Sequence, residues 1–395
     1  MDVGMDVVRG LAVLALLVWV WLTVGRGGFW RTDLRLPARR QPDRWPPVAV
    51  VVPARDEAAV LPETLPTLLA QRYPGPARVI LVDDGSTDGT AALAERLADG
   101  HRRERGGEHP GLPLTVIAPG EAPDGWTGKL WAVRHGVAEA GEVEFLLLTD
   151  ADIAHGLDSL ANLVAGAVAT GCDLVSRMAV LRTRTAWERL VVPAFVYFFA
   201  MLYPFRWVNR PGARTAAAAG GCCLVRRAAL ARAGGVDAIR GAVIDDVALG
   251  RAVKRSGGRI WLGLAEEVRS VRPYPTLGTL WRMVARSAYP QLRYSPLVLA
   301  ATVLGLAVVF LVPPASTVAG AVTADPVTLL AGAASWLLMA ATYGPMLRYY
   351  RQPVAAAFLL PGTALLYLLM TVDSAVAHWR GRGAVWKGRS YPASR

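Results

Sequence analysis

Three acidic clusters stand out by residue type and spacing: PARDE (Pro53 to Glu57), DDGSTDGT (Asp83 to Thr90) and TDAD (Thr149 to Asp152). Carboxylates in such places have two uses. They accept hydrogen bonds from the base N–H and ribose hydroxyls of a nucleoside, or they hold a hard divalent cation that bridges phosphate oxygens. Taken alone, DDGS is equally a turn with a helix cap, since Asp, Gly and Ser favour both. Asp150 and Asp152 alternate along an extended strand end, so one can face a ribose while the other faces a metal. The chain has no G-x-x-x-x-G-K-[ST] loop, which argues against a P-loop nucleotidase. No G-x-G-x-x-G follows the first strand, which counts against a dinucleotide enzyme.

Each cluster needs an element to hold it. Short apolar runs occupy Val48 to Val52, Val79 to Val82, Leu114 to Ile117 and Phe145 to Leu148, with helical patterns such as Ala58 to Gln71 and Thr90 to Ala98 between them. Such alternation predicts a parallel sheet covered on both faces. Ligands of open α/β sheets bind at the carboxyl ends of strands, and the acidic clusters follow the first, second and fourth runs. Their coincidence points to one shared pocket. The charged, Gly-rich stretch Asp99 to Gly111 is expected to be a surface loop.

Read together, VVVPARDE, ILVDDGSTDGT, LLLTDAD and GGVDAIRGAVIDDVALGRAVKRSG resemble the family 2 glycosyltransferases, over Val48 to Arg293. GWTGKLWAV (Gly125 to Val133), the flanking hydrophobic anchors and the tail WKGRSY are similar to the hopene-associated members. The resemblance implies an α/β, Rossmann-like GT-A domain with a mostly parallel sheet. It also implies that Pro53, Glu57, Asp83 and Asp84 hold the nucleotide, with UDP expected. Asp150 and Asp152 would be the D-x-D pair binding Mg²⁺ or Mn²⁺ with the diphosphate, and Asp246, second of the Asp245-Asp246 pair, the catalytic base.

The chemistry of the residues agrees with these roles. Departure of a diphosphate needs charge compensation, which a metal supplies and Lys129 could supplement; the other reading of Lys129 is a solvated loop lysine. An inverting transfer needs a carboxylate near the acceptor hydroxyl. Asp246 beside a like charge suits a base; the alternative is that Asp245 or Asp246 merely caps the helix that follows. Gly220 and Gly221 would let substrate approach the backbone closely. Processive members carry Q/R-x-x-R-W, where this chain reads WRMVARSAY (Trp281 to Tyr289). Met283 and Ser287 depart from that motif and weaken a polymer-synthase reading. Arg282 and Arg286 share a helix face, to clamp a diphosphate or to snorkel to lipid head groups. His101, His109, His135, His155 and His378 have no evident partners in sequence. Cys172, Cys222 and Cys223 form no metal-ligand spacing and fit a reduced compartment.

Mean hydropathy is +0.32, and 53% of the residues are hydrophobic, which is too apolar for an ordinary soluble enzyme. No charge interrupts 10–25, 294–324, 326–347 or 352–372. About 20 apolar residues span a bilayer. The expected organisation is an N-terminal anchor (1–25), a basic Pro-rich linker (26–47) and a catalytic domain (48–293). A transmembrane region follows (294–378; spans near 296–315, 327–347 and 354–376), then a basic tail (379–395). Arginines after the first run favour a signal anchor with the catalytic domain in the cytoplasm. Leu190 to Val208 reads as an interfacial helix, with a buried core helix as the alternative. Three C-terminal passes would put the basic tail outside, against the positive-inside rule; Pro361-Gly362 suggests that the last run is re-entrant instead. The net charge of +12 (43 basic less 31 acidic residues) sits beside the hydrophobic runs, where membrane lipids rather than nucleic acid are the expected partner.

The expected activity is therefore single transfer from a UDP-sugar to a lipid acceptor, a hopanoid by the narrower resemblance. The alternatives are a processive polysaccharide synthase and a catalytically inactive membrane scaffold.

Overall fold

The apolar runs become the centre of a mixed sheet. The computed structural model describes residues 3–36, 41–105, 111–381, 385–386 and 389–390. Eight strands form one sheet: β1 (Val48–Ala54), β2 (Ala77–Asp83), β3 (Leu114–Ile117), β4 (Phe145–Leu148), β5 (Ile153–His155), β6 (Leu174–Val180), β7 (Cys223–Arg226) and β8 (Ile260–Ser270). Their order is β3-β2-β1-β4-β7-β6-β8-β5. A small antiparallel pair, β9 (Val385–Trp386) and β10 (Arg389–Ser390), forms a separate sheet.

The first four strands run parallel, as predicted. β7 is antiparallel to both β4 and β6, and β5 is antiparallel to β8, so the parallel rule fails in the second half of the sheet. Because β7 reverses direction and β6 reverses it again, β6 and β8 point the same way as β4. The carboxyl ends of β1, β2, β4 and β8 and the amino end of β7 therefore share one edge. β1 is buried along its whole length, the expected state of a strand covered on both faces. On one of those faces, helix Gly128–Glu139 lies so close that a Cβ on Gly136 would meet Val51 Cγ1 at 2.4 Å.

The chain divides into two compact units. The sheet unit comprises Leu34–Arg182, Trp207–Pro273 and Val385–Arg395; the helical unit comprises Met1–Asp33, Thr183–Arg206 and Tyr274–Ala384. The expected catalytic stretch 48–293 is thus not one unit, because Thr183–Arg206 and the residues from Tyr274 onward pack with the apolar helices. The stretch expected to be a loop from Asp99 is helical as far as Arg105, in the helix Thr90–Arg105; the rest of it, 106–110, lies outside the described residues. Most of the basic tail lies outside them too.

Among the described residues, four helical segments are long and apolar enough to cross a membrane: Gly4–Gly25, Pro296–Val322, Pro326–Tyr349 and Val354–Trp379. The second runs past the expected end near 315, through Pro313 and Pro314. A proline has no N–H to give the preceding turn, and the helix widens into a π-turn at Ala307–Leu311. The Val309 carbonyl instead accepts the Trp19 indole N–H at 2.7 Å, and Phe310 packs edge-on against the same ring. This second segment and the third meet at small residues: a Cβ on Gly320 would lie 2.3 Å from the Leu329 nitrogen, the close approach that glycine permits between apolar helices. Leu190 to Val208 forms helix Ala186–Leu202 and a short turn Phe205–Val208. A Thr185–Glu188 capping box starts the helix, and Val191, Val192, Ala194, Val196 and Tyr197 are fully buried in the helical unit.

The ends of this bundle can be assigned from contacts. Arg9 pairs with Asp325 at 3.1 Å, so the start of the first helix shares an end with the connection between the second and third segments. Pro296 and Tyr349 therefore lie at the opposite end. After Tyr349 the chain turns back: Val354 meets Gly344, and Phe358 meets Trp336 in mid-helix. Helix Leu360–Trp379 then returns. Tyr367 donates to the Val191 carbonyl at 3.0 Å, Ser374 bonds the Ala285 carbonyl, and Trp379 and His378 reach Tyr289 and Tyr294, just before Pro296. The last apolar segment starts and finishes at the same end.

Candidate active site

The loops at the shared edge are built largely from their own polar side chains. Asp56 donates its N–H to Ser86 Oγ (2.9 Å) and accepts from the Thr87 N–H (2.8 Å). The Glu57 N–H meets Thr90 Oγ1 (2.9 Å) and the Ala58 N–H meets Asp88 Oδ2 (2.9 Å). PARDE and DDGSTDGT are thereby zipped together across β1 and β2. Asp83 accepts from the Ser86 N–H at 3.1 Å, and buried Asp84 faces Arg55 at 3.5 Å. These two aspartates brace the loop pair itself.

The central turn, Thr149 to Asp152, is held from below. Thr64 donates to the Ala151 carbonyl (2.7 Å), and Thr149 donates to the Gly221 carbonyl (2.7 Å). The two aspartates of the turn find different cations. Asp150 lies 2.8 Å from Lys129 Nζ, and the same ammonium lies 3.0 Å from Asp245 Oδ2. Thr127 caps the helix that carries Lys129. Asp152 accepts from Ser270 Oγ (3.0 Å) and from Arg272 Nε (3.0 Å), while Arg272 also forks onto both oxygens of Glu57 at 2.8 Å.

Asp245 and Asp246 open helix Asp245–Arg255, whose N-cap is Ile244; neither aspartate is the cap. Asp246 accepts from the Gly220 N–H (2.9 Å) and from the Val247 N–H (2.7 Å). Burial, then the like charge of Asp245, pushes its carboxyl up to about 6, against the opposing pull of Lys129 and those two amides. Burial also raises Asp150, moderated by Lys129 and by water, since 33% of its side-chain surface is accessible. Burial would depress the Lys129 ammonium, but Asp150 and Asp245 more than offset it and keep it protonated.

Pro53, Lys129, Thr149, Asp150, Gly220, Asp245 and Asp246 line one pocket. Glu57, Asp152 and Arg272 form a second, linked cluster. Neither Gly220 nor Gly221 has a positive φ; a Cβ on Gly220 would stop 3.5 Å from Asp246, whereas on Gly221 it would crowd Ile153 at 3.0 Å. Arg282 and Arg286 lie on helix Leu277–Gln291 of the helical unit, both exposed.

Two residues escaped the sequence reading. Arg272 follows β8, a strand whose charged second half hides its sheet character. His155 has partners after all: its Nε2 lies 2.9 Å from Thr149 Oγ1 and its Nδ1 lies 3.3 Å from Ser159 Oγ. Cys172, Cys222 and Cys223 are free and buried, as expected.

The mixed α/β sheet, with acidic loops at its carboxyl edge, is of GT-A type. Residues 46–289 match the model of the family described as "Glycosyltransferase like family 2", and the chain belongs to that family. It is 33% identical over 127 residues to the succinoglycan biosynthesis protein ExoA of Rhizobium meliloti (strain 1021), a stretch covering 32% of this chain and 34% of that protein's length. The fold is similar to that of the mannosyltransferase PcManGT from Pyrobaculum calidifontis, in complex with GDP-Man and Mn²⁺. That likeness has a TM-score of 0.55 and 20% identity, over 95% of this chain and 98% of the other.

Proposed function

We propose that the protein moves one sugar from a nucleoside-diphosphate sugar, with UDP the expected carrier, to a hydroxyl of a membrane lipid, with inversion at the anomeric carbon. The observation that carries this reading is Asp246, a half-buried carboxylate whose pKa near 6 suits a base at neutral pH, lining the same pocket as Asp150. In the step, Asp246 takes the acceptor's hydroxyl proton as its oxygen forms a bond to the anomeric carbon. The bond from that carbon to the diphosphate oxygen breaks, and the electron pair leaves with the diphosphate.

A divalent cation fits the donor set. Among the described residues no group of three His, Cys, Asp or Glu side chains is placed to hold a metal ion by itself, but Mg²⁺ commonly takes one or two carboxylates and completes its shell with phosphate oxygens and water. Asp150 and Asp152 would supply those carboxylates. When bound, the ion would neutralise charge on the departing diphosphate. Lys129 would add to that neutralisation, and Arg272 would keep Asp152 and Glu57 in register. Pro53, Glu57, Asp83 and Asp84 would shape the nucleotide end, and Gly220 the acceptor side.

The four apolar segments support a membrane enzyme, with the catalytic unit in the cytoplasm and the first, second and third segments crossing. The fourth would be re-entrant, which returns the basic tail to the cytoplasm. The similarity of GWTGKLWAV to hopene-associated enzymes favours a polycyclic lipid alcohol as acceptor. A second reading, extension of a polysaccharide, is favoured by the similarity to the succinoglycan biosynthesis protein ExoA.

Asp246→Asn tests the base: transfer should be lost while UDP binding with Mn²⁺, read by calorimetry, is nearly unchanged. Near-normal turnover in that variant would sink the assignment. Product mass separates the two acceptors, one added sugar or many.

A further inference from the structure

We propose that His155 is a positioning residue that sets the spacing between the Asp150–Asp152 turn and Asp246, acting through Thr149 and the Gly220-Gly221 loop. The inference rests on the proposed role of Asp246.

The hydrogen-bond chain has a single consistent direction. The Gly221 carbonyl can only accept, so the one hydroxyl proton of Thr149 goes to it, at 2.7 Å. Thr149 Oγ1 must then accept from His155, 2.9 Å away, which puts a proton on Nε2. In the neutral ring Nδ1 becomes an acceptor, for the Ser159 hydroxyl at 3.3 Å. The imidazole is 5% exposed; burial, and then the charge of Arg177, push it down to about 3, so it stays neutral throughout the working pH range.

Each end of the chain touches the reaction machinery. Thr149 precedes Asp150, and Gly221 follows Gly220, whose N–H binds Asp246 at 2.9 Å. Ser176 holds the same loop independently, accepting the Ala219 N–H at 2.8 Å. His155 is itself anchored, its N–H on Thr67 Oγ1 at 3.0 Å. The donor-side turn and the acceptor-side base are thus linked by hydroxyls whose orientation the imidazole fixes. Without His155 the Thr149 hydroxyl loses the donor that orients it, and the loop that carries the Gly220 amide to Asp246 is left to the Ser176 contact, so that amide is held less firmly. That weakens one of the contacts that keep the Asp246 pKa down, with Asp245 and Lys129 still facing the carboxylate.

The test uses the full-length protein in nanodiscs and whichever of UDP-glucose, UDP-galactose or UDP-N-acetylglucosamine the native enzyme turns over. His155→Phe should lower kcat by about a hundredfold with donor KM changed by less than about threefold. The acid limb of its pH profile should move upward. His155→Gln, which can still donate to Thr149, should recover most of the rate. Nitrogen NMR of labelled histidine should show His155 neutral and protonated at Nε2. A charged or Nδ1-protonated ring, an unmoved acid limb, or equal losses in both variants would overturn the proposal. Asp246→Asn runs in the same series. If it retains turnover, the base assignment fails; if it is dead while His155→Phe keeps native kcat and pH profile, only the positioning role fails.

Discussion

Arg272 Nε lies 3.0 Å from Asp152 Oδ2, joining the end of β8 to the turn that follows β4, on the far side of β7 and β6. The same guanidinium grips Glu57 from β1. One side chain therefore ties the loops after the neighbouring strands β1 and β4 to the end of β8, beyond two intervening strands of the sheet. Arg272→Met leaves two largely buried carboxylates facing each other, and a charge-assisted hydrogen bond contributes roughly 1.5–3 kcal/mol. The expected result is a loss of Mn²⁺-dependent UDP affinity of about ten- to hundredfold, measured by calorimetry. Arg272→Lys should recover little of it, because a point charge cannot fork.

The pH profile gives a second prediction. Activity should need ionised Asp246, so the rate should fall as pH drops through about 6. The Lys129 charge stabilises the ionised form, so Lys129→Met should move that limb to higher pH as well as lowering kcat. A limb that stays in place, or moves down, would show that another group governs it.

Trp19 and Pro313 should be coupled. Trp19→Phe keeps the ring and removes the N–H that serves the Val309 carbonyl, at a cost of about 0.6–1.7 kcal/mol for a polar contact between membrane helices. Pro313→Ala returns a backbone donor to that turn. In the Pro313→Ala background the Trp19→Phe penalty should shrink, a double-mutant cycle read by thermal or detergent unfolding. Additive losses would mean that the indole bond is idle.

Labelling of single cysteines can follow the last apolar segment. In a background without native cysteines, cysteines at Arg351 and Arg380 should react from one face of the membrane, and one at Asp325 from the other. Reaction of the Arg380 position together with Asp325 would mean that the segment crosses.

Much of this was legible beforehand, for physical reasons. Two of the four predicted strands, Leu114–Ile117 and Phe145–Leu148, have their predicted limits, because buried parallel strands read as continuous apolar runs. β5 to β8 did not announce themselves. β5 and β7 are short, and β8 carries Glu266, Glu267 and Arg269 on a strand near the sheet's edge. At the site, residue type revealed the carboxylates and Lys129, yet Arg272 came from outside the motifs, through a pairing that only the sheet order creates. His155 was invisible for a related reason. A histidine's partners depend on which hydroxyls the fold brings within 3 Å or so, and Thr149 and Ser159 are unremarkable in sequence.

The helical unit is assembled from three stretches of chain, Met1–Asp33, Thr183–Arg206 and Tyr274–Ala384, interleaved with the sheet unit. This has a consequence for biosynthesis. The first helix leaves the ribosome long before the surfaces that cover Ala12, Ala15 and Trp19, all fully buried in the finished protein. It must wait in the lipid while nearly three hundred further residues are made, and its indole finds Val309 only then. Nor can the enzyme be trimmed to a soluble catalytic fragment by a single cut. A cut after Asp33 leaves Thr183–Arg206 and Tyr274–Ala384 in place, and one after Pro273 leaves Met1–Asp33 and Thr183–Arg206, so no single truncation frees the sheet unit from the helical one.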